Sequence, residues 1–177
     1  MKKILVHMCC APCASYSGKK LMLEGYEVIL FFSNSNIFPE DEYTRRLEAG
    51  KKLSGIYKTE LLEDDYRHDL WLKAVYGYED EPEKGKRCKK CFEYNLKRTS
   101  DAADKLNIPY FTTTLTISPH KKSKDIFRAG SRFKKYLPFD FKKENGFLKS
   151  MEFSKKYSLY RQNYCGCEFS LNSQQNK

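Results

Sequence analysis

The N-terminal part of the chain alternates between apolar runs and a helical segment, and this pattern constrains the fold most. The runs 2–8 and 26–32 predict strands, because unbroken apolar runs are typical of parallel strands buried on both faces. The segment 15–24 between them predicts a helix that ends at Gly25. A strand–helix–strand unit of this kind predicts a right-handed crossover and a parallel sheet.

The rest of the chain continues this alternation. Helices are expected over 41–54, 65–75 and 91–106, and strands over 56–61 and 109–115. The pattern predicts an α/β protein with three layers (α/β/α) and a mostly parallel sheet. The 177 residues suit one domain, so we expect 1–177 to form a single α/β domain. Within it, 137–177 is expected to be a mostly helical C-terminal extension that carries a Cys-Gly-Cys motif and closes the site.

The two predicted N-terminal strands also indicate where a ligand would bind. In open α/β sheets, ligands bind outside the carboxyl ends of the strands. The segments 9–13 and 33–36 directly follow the first and second predicted strands. We therefore expect a functional site at this edge of the sheet.

Seven cysteines dominate the chemistry of the chain. They are Cys9, Cys10 and Cys13, then Cys88 and Cys91, then Cys165 and Cys167. No apolar stretch approaches the ~20 residues of a transmembrane helix, and the run 2–8 is too short for a signal peptide. We expect a cytoplasmic protein with no membrane partner, whose clustered cysteines serve metal binding or redox chemistry.

Each cysteine group admits more than one use. The first, in a strand-to-helix turn, can present adjacent thiolates to one centre, or its cysteines can be small buried apolar residues. The second is a Cys-x-x-Cys, which zinc, iron–sulfur and dithiol sites all use. The third, Cys-Gly-Cys, can close a strained disulfide or chelate a metal. Spacing alone does not decide among these uses.

Counting the potential ligands narrows the choice. Four thiolates hold one zinc ion or one [4Fe–4S] cluster, so three of the seven cysteines remain, which suggests a redox task beyond structure. The three histidines, His7, His68 and His120, give little support to a zinc hydrolase, and each is expected to be structural or exposed. Neither a G-x-x-x-x-G-K-[ST] loop nor a G-x-G-x-x-G motif is present. The first turn also lacks a Ser-Gly-Gly-x-Asp-Ser pyrophosphatase loop and has cysteines in its place, which disfavours ATP-driven adenylation.

The charge of the chain points to a polyanionic partner. The formal net charge is +10, which attracts RNA, DNA or an anionic membrane, although a Lys-rich surface without such a partner is the plainer interpretation. One run of basic residues has two interpretations: it binds the phosphates of a nucleic acid, or it forms only a solvated helix face. Its members are Lys121, Lys122, Lys124, Arg128, Arg132, Lys134 and Lys135.

Five segments together resemble one family. They lie at 7–13, at 33–39 with Glu42, Tyr43 and Arg45 or Arg46, at 83–91, at 113–119 and at 160–167. On these segments the chain resembles the QueH-type epoxyqueuosine reductases, which are cobalamin-independent iron–sulfur enzymes. It departs from the family pattern at Ser35 and Phe38, where a proline and a histidine are usual, and at Asn95, where an arginine is common.

The resemblance implies an oxidoreductase that reduces the epoxide of epoxyqueuosine at the tRNA wobble position to the alkene of queuosine. It implies a scaffold similar to nucleotide α-hydrolase-like or Rossmann-like folds. It also implies a [4Fe–4S] cluster, an adjacent mononuclear iron, a tRNA anticodon stem-loop as partner and an unidentified electron donor. By motif, the cluster ligands are Cys9, Cys10, Cys88 and Cys91, and the redox-active pair is Cys165 and Cys167. For the second iron the candidates are Cys13, Asp64 and Asp65.

The mechanism and two competing functions stay open at this point. The candidates for the acid that protonates the leaving oxygen are Tyr164, Tyr43 and Asp41. A non-catalytic zinc-bound RNA-binding module shares the charge and the Cys-x-x-Cys, but it leaves Cys165 and Cys167 without a role. A cluster-dependent tRNA sulfur-transfer enzyme would need ATP or a persulfide donor.

Overall fold

The sheet follows the prediction from the sequence. The structure, a computed structural model, describes residues 1–175. Its strands are β1 (Lys2–His7), β2 (Tyr26–Phe32), β3 (Leu61–Glu63) and β4 (Tyr110–Thr113). They form a parallel sheet of order β3-β2-β1-β4 among the described residues, and Ile4 of β1 pairs with Val28 and Tyr110 on its two sides.

Helices cover both faces of this sheet. They are α1 (Ala11–Leu23), α2 (Glu40–Tyr57), α3 (His68–Val75), α4 (Lys86–Lys105), α5 (Ser123–Gly130), α6 (Gly146–Lys156) and α7 (Glu168–Gln175). Short 3₁₀ turns lie at Thr114–Ile117 and Lys143–Asn145. None of the helices in the described part of the chain combines the length and apolar character needed to span a membrane.

The core has two parts because the side chains of β1 alternate between the faces of the sheet. Ile4 and Val6 pack in a buried cluster with residues of α1 and α2, whereas Leu5 packs on the other face with residues of α4 and α5. All three side chains are fully buried. The result is the expected three-layer α/β/α fold.

Some predicted boundaries are wrong, and the reasons are local. The strand expected over 56–61 begins only at Leu61, because α2 continues to Tyr57 and ends at Lys58 in the left-handed conformation (φ 51°). The helix expected over 91–106 begins at Lys86, since Gly85 precedes its first turn. Both cysteines of the Cys-x-x-Cys therefore lie on α4 rather than one in a loop.

Candidate active site

His7 joins three strand ends beneath the site. It is fully buried at the end of β1, where Nδ1 lies 2.8 Å from Thr113 Oγ1 and Nε2 lies 3.1 Å from the carbonyl oxygen of Ser33. A carbonyl only accepts, so Nε2 donates to Ser33, and Nδ1 accepts from the Thr113 hydroxyl. Burial lowers the pKa of His7, which agrees with a neutral ring. The predicted structural role of His7 is confirmed.

Replacing His7 by phenylalanine is expected to destabilise the protein. The change leaves the Ser33 carbonyl and the Thr113 hydroxyl without their partner in a buried position, which should lower the free energy of unfolding by about 2–4 kcal/mol. Urea unfolding of the full chain measures this loss. His120→Phe is the control, because His120 is exposed and the same change there should stay within about 0.5 kcal/mol. Equal stability of both variants would contradict a structural role for His7.

Cys9, Cys10 and Cys13 form one sulfur group at the carboxyl end of β1. Their Sγ atoms all lie within 4.8 Å of one another, a spacing that fits a shared metal. Cys10 is the N-cap of α1, and its sulfur accepts from the amide of Cys13 at 3.4 Å. The Thr114 hydroxyl lies 3.3 Å from the sulfur of Cys9. The sequence assigned Cys13 only to a second iron, but the structure places it beside Cys9 and Cys10.

The three thiols of this group differ in pKa. Hydrogen bonds from the thiols of Cys13 and Cys9 lower the pKa of Cys10 well below its ordinary value. The pKa of Cys13 is raised well above its ordinary value because its thiol donates to Cys10, and a bond with Cys10 also raises the pKa of Cys9. Cys10 is therefore the most acidic thiol of the group, and a bound metal would displace the thiol protons of its ligands.

The remaining four cysteines line one cavity between α3, α4 and the C-terminal segment. They are Cys88, Cys91, Cys165 and Cys167. Other walls of the cavity come from Asn36, Trp71, Arg87, Phe92, His120 and Lys121. Burial raises the pKa of Cys88 and Cys91, and it raises the pKa of Cys167 to about 11. All seven cysteines are free thiols in the structure.

The start of α4 holds Cys88 and Cys91 in a fixed backbone. The sulfur of Cys88 accepts from the amide of Lys84 at 3.2 Å. Arg87, which is 3% exposed, turns back and donates through Nη1 to the carbonyls of Tyr78 and Glu79 at 3.3 and 2.8 Å. The loop before α4 is thereby fastened to the helix that carries both thiols.

Lys121 links the two groups of cysteines. Burial alone would lower the pKa of this ammonium group, but its charge interactions with Cys165 and Cys9, together with those with Cys13 and Cys10, raise the pKa overall. Lys121 also lines the cavity. The sequence placed this residue in a basic run that offered either phosphate contacts or a solvated helix face, whereas the structure places it in the wall of the cavity that four cysteines line.

The other members of the basic run divide into two kinds. Lys122, Lys124, Arg128 and Lys134 are exposed, and the part of the chain that the structure describes holds no ion pair for them. Arg132 instead pairs with Glu93 at 3.3 Å, and Lys135 pairs with Asp104 at 2.7 Å. Only the unpaired members keep their full charge available to a partner.

The acidic candidates for a second iron lie away from the sulfur group of Cys9, Cys10 and Cys13. The Asp64 carboxylate accepts from Arg98 Nε at 2.8 Å and from the Ser33 hydroxyl at 2.6 Å. It is therefore already engaged by two hydrogen-bond donors. Asp65 is exposed. Within the described residues, the sulfur group contains no carboxylate.

The candidate proton donors are also occupied or remote. Tyr43 donates to Glu63 at 3.3 Å, and Tyr164 donates to the carbonyl of Phe38. Burial raises the pKa of both hydroxyls. Asp41 is exposed at the start of α2, and none of the three candidates lines the cavity. Their proposed role in protonating a leaving oxygen therefore finds no geometric support.

Sequence reasoning missed two parts of the site. Trp71 forms an aromatic wall of the cavity, whereas the sequence predicted only a helix over 65–75 and assigned this residue no role in the site. Arg46 lies fully buried on α2 and contacts the backbone of the Cys-Gly-Cys loop. The sequence placed Arg46 in a family motif but did not reveal its partner, the carbonyl oxygen of Cys165. Any residue type can supply a backbone carbonyl, so the sequence carries no signal for this contact.

The parallel α/β sheet carries three free thiols at the end of β1, spaced to hold a metal ion, and four further cysteines line a cavity, an arrangement that indicates a thiol-based metal or redox protein. A family model described as "Epoxyqueuosine reductase QueH" matches residues 4–173. The chain therefore belongs to the QueH family of epoxyqueuosine reductases, as the motifs in the sequence predicted.

Individual relatives agree with this assignment. A protein of Streptococcus pyogenes serotype M1 is 41% identical over 182 residues, which cover 97% of this chain and 71% of the relative. A protein of Acinetobacter baylyi is 34% identical over 96% of this chain and 80% of its own length. A protein of Thermotoga maritima is 34% identical over 97% of this chain and 91% of its own length. Each is named "Epoxyqueuosine reductase QueH".

Proposed function

We propose that this chain is an epoxyqueuosine reductase, which converts the epoxide of epoxyqueuosine at the tRNA wobble position into the alkene of queuosine. The single observation that carries the proposal is the arrangement of seven free thiols in two groups, one at the end of β1 and one around a cavity that Lys121 also lines, in a chain of the QueH family. Neither the zinc-bound RNA-binding module nor the sulfur-transfer enzyme gains support from this arrangement.

The donor set fits a [4Fe–4S] cluster. We assign its ligands to Cys9, Cys10, Cys88 and Cys91, because clusters of this type are held by thiolates. Two observations support the fit: Cys9 and Cys88 pack against the same apolar cluster, and Lys121 brings a positive charge toward an anionic centre. When bound, the cluster would transfer single electrons. An adjacent mononuclear iron is proposed at Cys13, whose sulfur lies beside those of Cys9 and Cys10.

The reaction balances with Cys165 and Cys167 as the electron donors. Two thiols supply two electrons and two protons; the epoxide loses its oxygen as water, its two carbons form the alkene, and one S–S bond forms. Lys121 lines the same cavity, so its ammonium group stabilises the negative charge that develops on the epoxide oxygen. An electron donor that is not yet identified would then reduce the disulfide.

The C-terminal segment is proposed to close this site within a single domain. Cys165 and Cys167 reach the cavity from this segment, which supports the assignment of 137–177 as a closing extension. Residues 176 and 177 of that extension lie outside the described residues. We propose a cytoplasmic location as well, which agrees with a tRNA substrate.

Binding of tRNA is proposed to use the exposed cations of α5. The wobble base must leave its stack to enter the cavity, whose wall includes the aromatic residues Trp71 and Phe92. Lys122 and Lys124 lie exposed at the start of α5, near the cavity wall formed by Lys121. They are therefore placed to contact phosphates next to the extruded base.

The double change Lys122→Glu and Lys124→Glu is expected to weaken tRNA binding about tenfold and to reduce the slope of log affinity against log salt by about 1.5. Glutamate is favourable at a helix N-terminus, so α5 itself should stay intact. Filter binding over a salt series measures both quantities. The control is Lys155→Glu with Lys156→Glu on α6, an equal charge change on the opposite face of the sheet. Equal loss in both variants would contradict a specific phosphate site on α5.

The whole proposal is tested by composition and turnover. Protein purified without oxygen should contain about four irons and four acid-labile sulfides per chain, with one further iron if the adjacent site is filled. It should then convert epoxyqueuosine-containing tRNA when a reductant is supplied. About one zinc per chain without sulfide, persisting after iron–sulfide reconstitution, would overturn the proposal and leave the zinc-bound module in its place.

A further inference from the structure

The loop that carries Cys165 and Cys167 is attached to α2 through one buried side chain. Arg46 is 2% exposed, and its Nη1 donates to the carbonyl oxygen of Cys165 at 2.9 Å. Its Nη2 donates to the carbonyl oxygen of Tyr164 at 3.3 Å. The guanidinium also lies 5.1 Å from the centre of the Tyr164 ring. One planar group thus holds two successive peptide carbonyls next to Cys165.

A second buried charge fixes the direction of this guanidinium. Glu42, which is 3% exposed and one turn earlier on α2, accepts from Arg46 Nε at 2.7 Å. The other carboxylate oxygen of Glu42 accepts from the Tyr160 hydroxyl at 2.7 Å. Glu42 therefore balances the positive charge of Arg46. All three nitrogens of the guanidinium donate hydrogen bonds, Nε to Glu42 and the two Nη atoms to the backbone carbonyls.

The loop is shaped to accept this contact. Gly166 lies between the two cysteines with φ 145°, a conformation that other residues rarely adopt. A Cβ atom there would lie 3.2 Å from Arg46 Nη1 and 3.3 Å from Asn36 Nδ2. The carbonyl of Gly166 accepts from the amide of Phe38 at 2.8 Å. The Cys-Gly-Cys backbone therefore sits directly against the loop and helix that follow β2.

We propose that Arg46 is the positioning residue of the redox-active pair: it orients the peptide planes on both sides of Cys165 and so directs its thiol into the cavity. A buried ion pair is weak evidence for stability by itself, because desolvation opposes the attraction of the charges. A fixed fork of donors does supply orientation, and a lysine cannot reproduce it with one ammonium group. This inference rests on the proposed function, in which Cys165 and Cys167 pass two electrons and two protons to the epoxide.

The test compares Arg46→Lys with Arg45→Lys in the full-length, cluster-containing protein. Lysine keeps the charge beside Glu42 but loses the second carbonyl contact, so kcat should fall about 10- to 100-fold. KM for tRNA should change less than about twofold. Iron and sulfide content should not change, while the rate of alkylation of Cys165 by iodoacetamide, followed by mass spectrometry, should change severalfold, because Cys165 is already exposed and its orientation sets its surroundings. Arg45 is the matched control, since its side chain is 61% exposed and lies 3.6 Å from the same Glu42.

Gly166→Ala disturbs the contact between Arg46 and the Cys-Gly-Cys loop from the loop side. This variant replaces Arg46→Lys in the test if Arg46→Lys does not fold. It should reproduce the lower kcat and the altered alkylation rate with iron and sulfide retained. Unchanged kcat and alkylation in the folded variants would overturn the inference, and so would a loss of iron in parallel with kcat, which indicates a merely structural role. Absence of epoxide turnover in the unmodified protein would instead remove the proposed function, and the alkylation contrast would still decide whether Arg46 positions Cys165.

Discussion

The Cys91→Ser protein, purified without oxygen, is expected to lose its iron–sulfur absorbance, most of its acid-labile sulfide and all measurable turnover. Cys91 lies on the second turn of α4 and faces the cavity shared with Cys165 and Cys167. With one of four proposed thiolate ligands removed, the remaining three cannot complete the cluster. Iron, sulfide and the visible spectrum measure the loss directly, independently of activity.

Cys13→Ser is the matched control for this prediction. Cys13 belongs to the sulfur group of Cys9 and Cys10 but not to the proposed cluster ligands. The Cys13→Ser protein should therefore keep four sulfides and lose at most one iron. The reverse result, with the cluster lost in Cys13→Ser and kept in Cys91→Ser, would show that the three neighbouring thiols at the start of α1 hold the cluster instead.

Replacing Cys165 by serine is expected to stop repeated turnover while leaving the cluster in place. The reaction takes two electrons from the Cys165 and Cys167 thiols, and a single thiol cannot form the disulfide that completes the exchange. We expect kcat to fall at least about 10³-fold in a steady-state assay, the size of effect seen when one member of a catalytic unit is removed. Conversion of epoxyqueuosine-containing tRNA to queuosine-containing tRNA, followed by nucleoside mass spectrometry, measures it.

Cys167→Ser provides the companion measurement for the redox pair. Because both thiols contribute to one disulfide, the two variants should lose the same activity, and both should retain iron and sulfide. Mass mapping of the unmodified protein after one turnover without reductant should find Cys165 and Cys167 oxidised together. Loss of iron and sulfide in Cys165→Ser would contradict the redox role and make Cys165 a metal ligand.

Much of the fold follows from local patterns in the sequence. The apolar runs of β1 and β2 predicted parallel strands, because only strands buried on both faces omit polar alternation. The short strand β3 was misplaced, since nothing in its three residues distinguishes a strand from the end of α2. The same limitation displaced the start of α4, where the cap at Gly85 contributes no side-chain signal.

The sequence by itself determined the chemistry of this protein and the edge of the sheet where the chemistry lies. Seven cysteines in three groups indicated metal and redox chemistry. The segment 9–13 was expected at the carboxyl end of β1 because it directly follows that strand in the sequence. Only the tertiary structure decided which distant groups meet. Lys121 among the thiols is one example, and the contact of Arg46 with the carbonyl of Cys165, 119 positions away, is another. The physical reason is that hydrogen bonds to backbone carbonyls and burial beside distant charges depend on packing between segments, which no local periodicity records.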